Sequence, residues 1–187
     1  MDSHLLFFLA AKTDPQNAGL WLPLWIHSRD TAEVMRRLAI HWLSNRARAA
    51  LGLEEALLSK LAYFLGAVHD IGKATVLFQS NITQRLPEVR ERLARQCAFP
   101  KCFAYPQATP HAKASEAILL QLGCPKGVAS IAGAHHGKPQ ENGKTSILRR
   151  ISSPIITTTM GRGKKTFGFP SGNRCWSSIC GTQASRR

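Results

Sequence analysis

No stretch of the 187-residue chain is apolar over the roughly 20 residues that a membrane-spanning helix needs. The run from Leu5 to Ala11 is much shorter, and no basic residue precedes it as one would in a secretory signal. The five cysteines are an odd number, which fits a reducing compartment better than a disulfide framework. We therefore expect a cytoplasmic protein that does not bind membranes.

Acidic residues are scarce, and the last of them is Glu141. The chain carries 25 Lys and Arg against 11 Asp and Glu, and nine of the basic residues follow Glu141 with no acid to offset them. A net charge of +14 suggests a polyanionic partner such as nucleic acid. Because most of the excess lies in the tail, a DNA-binding module driven by that tail is one possible function.

The chain divides into an all-α domain and a tail of different character. The 44% hydrophobic content is that of one globular domain, and strand-like alternation is absent up to about Gly137. Beyond about Ser146 the sequence has no period of 2 or 3.6 and no acidic residue. We expect residues 1–146 to form the domain and residues 147–187 a basic tail. The tail is either a natural disordered arm or non-native sequence, out of frame or in place of the original end.

Apolar spacing and capping residues predict five helices. They cover residues 30–43, 54–68, 87–96 and 112–122, and a last one runs from residue 125 towards the two histidines before Gly137. Asp30 is a suitable N-cap for the first, which places His27 just before it. The second is apolar almost all round and therefore buried, with His69 and Asp70 at its end and Gly72 placed to let the chain turn.

The adjacent pair His69-Asp70 predicts a metal site, because imidazole and carboxylate are groups that bind divalent metals. Further candidates lie upstream and downstream: His27, His111, His135 and His136. Adjacent residues point about 100° apart on a helix, but the backbone is freer at a helix end. Asp70 can therefore bridge two ions, with His69 on one, while His111, His135 and His136 supply the other.

Such a site favours hydrolysis of phosphate esters. Two ions about 3.5–4 Å apart lower the pKa of a bridging water and stabilise both oxygens of a phosphate displacement. A set rich in imidazole favours Mn, Fe, Co, Ni or Zn over Mg. Lys73 can contact a phosphate oxygen or be a solvated surface lysine. His4 and His41 are interpreted as helix-end or surface residues, and Ser115 as a surface hydroxyl unless it bonds a metal-bound water.

The ordered motifs resemble the HD phosphohydrolase superfamily, and within it the HD nuclease domain of the CRISPR-associated type I nuclease-helicase. The resemblance covers about residues 8–140. It rests on the segments 21–32 (WLPLWIHSRDTA), 64–73 (FLGAVHDIGK), His111 with Ser115, and 134–137 (AHHG). It implies a helical, metal-dependent endonuclease or exonuclease that degrades DNA, single-stranded DNA especially, in antiviral defence. The implied partners are a CRISPR helicase module and a guide-RNA surveillance complex.

The resemblance also implies which residues bind two divalent ions. The candidate ions are Mn, Ni, Co, Fe and Mg. By match, His27, His69 and Asp70 would hold one ion, and Asp70 with His111, His135 and His136 the other. Asp70 and Lys73 would be the catalytic residues, with Lys73 beside the scissile phosphate. The family pattern needs a later aspartate for the first ion, and no Asp follows Asp70. The domain is therefore expected to be incomplete at its C-terminal end, with its activity in question.

Other functions stay open besides the nuclease. One is an HD phosphohydrolase acting on nucleotides, and another is an inactive fragment that binds metal or DNA. The segment 161–166 (GRGKKT) resembles a phosphate-binding loop only superficially, because Thr158 stands where the motif requires its first glycine. We therefore expect no nucleotide cofactor and no ATP hydrolysis.

Overall fold

The protein is a bundle of helices with one small sheet at its N-terminal end. The fold is taken from a computed structural model and is described over residues 3–17, 19–96 and 110–137. Within these ranges the chain forms strands β1 (Ala10–Thr13) and β2 (Trp21–Pro23), and helices α1 (Leu24–His41), α2 (Asn45–Leu51), α3 (Glu55–Val68), α4 (Val76–Ile82), α5 (Pro87–Gln96), α6 (His111–Gln121) and α7 (Lys126–Gly133). Short 3₁₀ turns cover Ser3–Phe8, Ile71–Ala74 and Thr83–Arg85. The all-α prediction is confirmed, while the tail boundary near residue 146 lies outside the described residues.

Helix α1 begins six residues earlier than the sequence predicted. Asp30 is not its N-cap: the side chain is exposed within the helix and pairs with Arg29. The N-cap position belongs to Pro23, and the Leu24 amide donates to the Leu9 carbonyl at 2.7 Å. Because the Leu9 carbonyl, one residue before β1, accepts from this otherwise unpaired amide, the helix can start directly after β2. His27 consequently lies inside the first turns of α1 rather than before it.

Helices α3 and α5 follow their predicted bounds closely, and α6 begins one residue before its predicted start. Helices α2 and α4 and the antiparallel β1–β2 pair were not predicted. The strands are short and do not alternate in burial, since β1 has two buried residues followed by more exposed ones. Among the helices of the described part, none has the length and apolar character of a membrane span.

Gln79 connects the sheet to the turn that follows α3. Its side chain has no exposed surface; Oε1 accepts from the Ala10 amide at 2.9 Å, and Nε2 donates to the Ala10 and Lys73 carbonyls at 2.9 and 2.8 Å. A buried amide with all these partners satisfies the backbone of two segments at once. The 3₁₀ turn Ile71–Ala74 is thereby attached to β1 by a polar contact inside the core.

Helices α1 and α3 cross in close contact at Gly66. A Cβ built at this position would lie 2.7 Å from the Ala32 Cα and 2.8 Å from the Thr31 carbonyl oxygen. Both are backbone atoms of a helix, so they cannot move away cheaply. Glycine therefore sets how near α1, which carries His27, approaches α3, which leads to His69 and Asp70.

Replacing Gly66 with alanine should destabilise the fold. We expect the free energy of unfolding to fall by about 1–3 kcal/mol, because the added methyl forces the two helix backbones apart. Gly127→Ala is the control, since a Cβ there meets nothing within 4 Å among the described residues. That variant should instead gain roughly 0.5 kcal/mol from a stiffer helix backbone. Urea unfolding measures both, and equal values for the two variants would contradict the close-contact argument.

Candidate metal centre

The Asp70 carboxylate lies at the centre of a cluster of histidines and is only 3% exposed. Its Oδ2 atom is 2.8 Å from Nε2 of His27, 3.2 Å from Nε2 of His69 and 2.7 Å from Nζ of Lys73. His27 comes from α1, whereas His69, Asp70 and Lys73 follow the end of α3. One carboxylate oxygen thus joins two elements that are distant in sequence.

The other carboxylate oxygen faces the histidines of α6 and α7. Oδ1 of Asp70 is 3.2 Å from Nε2 of His111 and 3.3 Å from Nε2 of His135. Nε2 of His136 lies 2.9 Å from Nε2 of His111. His111 is the first residue of α6, and His135 and His136 follow Ala134, the C-cap of α7. All six predicted metal-site residues therefore belong to one cluster: four histidines contact the Asp70 carboxylate, and His136 joins them through His111.

The six residues form two groups that can each hold a metal ion. His27, His69 and Asp70 make one group, and His111, His135 and His136 make the other. In each group the potential ligand atoms lie within 4.8 Å of one another. Asp70 belongs to the first group through Oδ2 and reaches the second through Oδ1, so the positions predicted for two ions are adjacent.

Backbone carbonyls orient two of the imidazoles. Nδ1 of His69 lies 2.7 Å from the Gly66 carbonyl oxygen, and Nδ1 of His135 lies 2.7 Å from the Ala132 carbonyl oxygen. Since a carbonyl only accepts, Nδ1 must donate its proton in both rings. In the neutral ring Nε2 then carries the lone pair and points at Asp70, which is the arrangement of metal-binding histidines.

Two buried atoms of the cluster lack hydrogen-bond partners among the described residues: Oδ1 of Asp70 and Nε2 of His135. They lie 3.3 Å apart, and with His135 neutral both are acceptors. Two facing acceptors without a proton between them are satisfied by a cation. Together with the imidazole-rich composition, these atoms show that the residues fit a divalent metal.

Burial and charge set the protonation of the cluster. Burial is the largest influence on His27 and His135 and lowers the pKa of both imidazoles, which favours the neutral, metal-binding form. Burial also acts on His69, but the nearby Asp70 carboxylate outweighs it and raises the pKa of that imidazole. Burial alone would raise the pKa of Asp70; contacts with His111, His69 and Lys73 overcome it and hold that pKa far below its ordinary range.

The structure corrects two expectations about neighbouring residues. Ser115 is not a surface hydroxyl but has no exposed surface, and its Oγ contacts backbone atoms of the His69–Gly72 turn. Lys73 is not a solvated lysine either, since it is 7% exposed and paired with Asp70. His41 is exposed at the end of α1, as expected, and the side chain of His4 lies outside the described part.

Phe78 is a neighbour of the cluster that could not be selected from the sequence. Its ring centre lies 5.6 Å from that of His111 and 5.7 Å from Nζ of Lys73. It comes from α4 and is half-buried, so it forms an aromatic wall beside both residues. No motif marks it, because it reaches the site only through the packing of α4.

Comparison with known proteins identifies the family. The family model described as "Cas3, HD domain" matches residues 11–167. The chain belongs to the Cas3 HD domain family. It is also 34% identical over 151 residues to the CRISPR-associated nuclease/helicase Cas3 of Streptococcus thermophilus, a match that covers 73% of this chain and 16% of that relative. No solved structure gives a significant match.

Family membership confirms the resemblance predicted from the motifs, and it places the chain in a family of CRISPR-associated HD nucleases. The chain spans about one sixth of the length of its Streptococcus relative. The roles of the individual histidines, of Asp70 and of Lys73 as ligands or catalytic residues stay predictions at this point.

Substitutions of Asp70 and Lys73 should have non-additive effects on the free energy of unfolding. Asp70→Asn leaves the buried Lys73 ammonium without a countercharge, which should cost about 3 kcal/mol of unfolding free energy in the presence of EDTA. Asp70→Asn combined with Lys73→Met should recover part of that loss, because the double variant buries no unpaired charge.

Urea unfolding of the single and double variants gives the coupling energy. Asp30→Asn is the matched control, since Asp30 and its partner Arg29 are exposed and their pair should contribute little. Additive effects of the Asp70 and Lys73 substitutions would contradict the buried pair.

Proposed function

We propose that this chain is a metal-dependent nuclease that hydrolyses phosphodiester bonds of DNA, single-stranded DNA in particular, in CRISPR-linked antiviral defence. One observation carries the proposal: in a member of the Cas3 HD domain family, four imidazoles surround a single buried carboxylate and a fifth, that of His136, lies against one of them. The family supports nuclease chemistry, and the geometry supports the metal that this chemistry needs.

The proposed ligands are those that the motifs suggested. His27, His69 and Asp70 would hold one ion, and Asp70, His111, His135 and His136 the other. When bound, divalent ions such as Mn, Ni, Co, Fe or Mg supply a water of lowered pKa and polarise the phosphate. The protein contributes ionised Asp70 between the two positions and imidazoles whose orientation is fixed by the Gly66 and Ala132 carbonyls.

We assign Lys73 the role of contacting an oxygen of the scissile phosphate. Its ammonium lies 2.7 Å from Oδ2 of Asp70, next to His27 and His69, so it is already at the centre of the site. A cation on a flexible stem can shift from the carboxylate to a phosphate oxygen within one side-chain movement. Phe78, beside Lys73 and His111, offers an apolar face that limits water on this side.

The two ion positions are not equally supplied by the protein. The second has three imidazoles and Oδ1 of Asp70, whereas Oδ2 of Asp70 is shared between His27, His69 and Lys73. Among the described residues, the two candidate groups share one carboxylate, that of Asp70. We therefore expect tighter metal binding at the second position.

The proposed partners are a helicase module and a guide-RNA surveillance complex. They are inferred from the family and from the name of the Streptococcus relative, which combines nuclease and helicase. The matched region is about one sixth of that relative, so the helicase would be supplied by sequence outside it.

The proposal predicts metal-dependent cleavage of labelled single-stranded DNA by the full chain with Mn²⁺, abolished by EDTA. His69→Ala and His135→Ala should each lower the rate by at least about 100-fold, because loss of a direct ligand exceeds the 10–100-fold effect of an outer-shell change. His41→Ala is the matched control: this histidine is exposed at the far end of α1, and the rate should stay within about twofold.

The same preparations incubated with nucleotides separate the competing functions. Phosphate release from nucleotides without DNA cleavage would replace the nuclease with a nucleotide phosphohydrolase. Stoichiometric metal without hydrolysis of either substrate would instead indicate a binding fragment that is inactive.

A further inference from the structure

The Ser115 hydroxyl connects the two halves of the candidate metal centre. Its Oγ accepts a hydrogen bond from the Gly72 amide at 2.9 Å and lies 2.7 Å from the His69 carbonyl oxygen and 3.1 Å from the His111 carbonyl oxygen. A hydroxyl has one proton to donate and two lone pairs, so it donates towards the carbonyls while it accepts from the amide. One side chain without exposed surface thus serves three backbone atoms.

These contacts bridge segments that belong to different groups. His69 and Gly72 flank Asp70 on the turn after α3, whereas His111 begins α6. The contact with His111 is the usual bond of a helical serine to the carbonyl four residues earlier. The other two contacts cross 43 and 46 residues of sequence. Ser115 therefore joins the backbone of the Asp70 turn to the first turn of α6.

Close packing at Gly72 also holds the Asp70 turn against the first turn of α6. A Cβ at Gly72 would collide with the His111 carbonyl oxygen and would lie 2.6 Å from the Ser115 amide nitrogen. Gly72 has no left-handed backbone, so the glycine is needed for space and not for the turn itself. The turn is held against α6 by contact on one side and by the hydroxyl on the other.

We propose that Ser115 is a positioning residue that fixes Asp70 relative to His111, and so sets the geometry in which a metal ion is bound between them. The inference rests on the proposed metal centre. Oδ1 of Asp70 and Nε2 of His111 are 3.2 Å apart and come from the two segments that the hydroxyl joins. Metal-binding sites require such distances to be kept within narrow limits, and the backbone junction does this without contacting the ion.

The test compares Ser115→Ala with Ser130→Ala. Ser130 is the matched control, because its hydroxyl likewise donates a hydrogen bond between two segments, but from α7 to Oε1 of Glu116 on α6 at 3.0 Å and not to the Asp70 turn. Affinity for Mn²⁺ is measured by calorimetric titration of the full chain. We expect about 10–100-fold weaker binding in Ser115→Ala and less than a twofold change in Ser130→Ala.

A metal-free readout accompanies the titration. Exchange of the Gly72 amide proton, followed by NMR in EDTA, should accelerate at least about tenfold in Ser115→Ala because its acceptor is lost, and stay unchanged in Ser130→Ala. If Ser115→Ala does not fold, Ser115→Cys serves instead, since its thiol fills the space of the hydroxyl but hydrogen-bonds weakly. Thermal unfolding in EDTA compares the loss of melting temperature in Ser115→Ala with that in Ser130→Ala.

Each outcome decides the matter. Faster Gly72 exchange together with weaker Mn²⁺ binding supports the positioning role. Wild-type Mn²⁺ affinity in Ser115→Ala, or equal weakening in Ser130→Ala, overturns it. Wild-type protein that binds no Mn²⁺ refutes the proposed metal centre, and the positioning role with it. In that case Gly72 still exchanges faster in Ser115→Ala than in the wild type, although neither protein binds Mn²⁺. This result separates failure of the metal centre from failure of the hydroxyl contact.

Discussion

The structure around the site depends on the burial of one carboxylate, Asp70. Taking an ionised group out of water is favourable only if it is fully paired, and a buried charge that loses its partners costs several kcal/mol. The Lys73 ammonium pairs with Oδ2, and four imidazoles lie within 3.3 Å of the two oxygens; these groups come from α1, the turn after α3, the start of α6 and the segment after α7. These segments must therefore come together wherever Asp70 is buried.

Small residues determine how closely those segments approach. Gly66 lets α3 meet the backbone of α1 at Ala32, and Gly72 lets the Asp70 turn meet the His111 carbonyl. A Cβ at Gly133, the last residue of α7, would lie 2.8 Å from the Cβ of Glu116 on α6. Each glycine lies at a contact between two segments that carry cluster residues. The imidazoles reach a common point because the backbones beneath them are nearly in contact.

Helix bounds and motifs that depend on neighbouring residues could be predicted from the sequence. Features that depend on tertiary contacts could not. The bounds of α3 and α5 follow from apolar spacing and from Pro87, and the His69-Asp70 motif marks the centre of the site. The start of α1 could not be predicted, because it depends on a hydrogen bond from Leu24 to Leu9 across the small sheet. Lys73 and Ser115 have polar side chains, and their burial depends on tertiary packing: Ser115 bonds to the turn after α3, and Lys73 lies beside Phe78 of α4.

The composition of the cluster also bears on what it can bind. Among the described residues, the two candidate groups contain one carboxylate, and Glu116, the nearest buried acid along α6, is directed to Ser130 instead. Lys73 already offsets the charge of Asp70. Two divalent ions would bring far more positive charge than the protein neutralises, so an anion in the site would strengthen their binding. Under the proposed function that anion is the phosphodiester of the substrate, so the metal ions and the substrate would each strengthen the binding of the other.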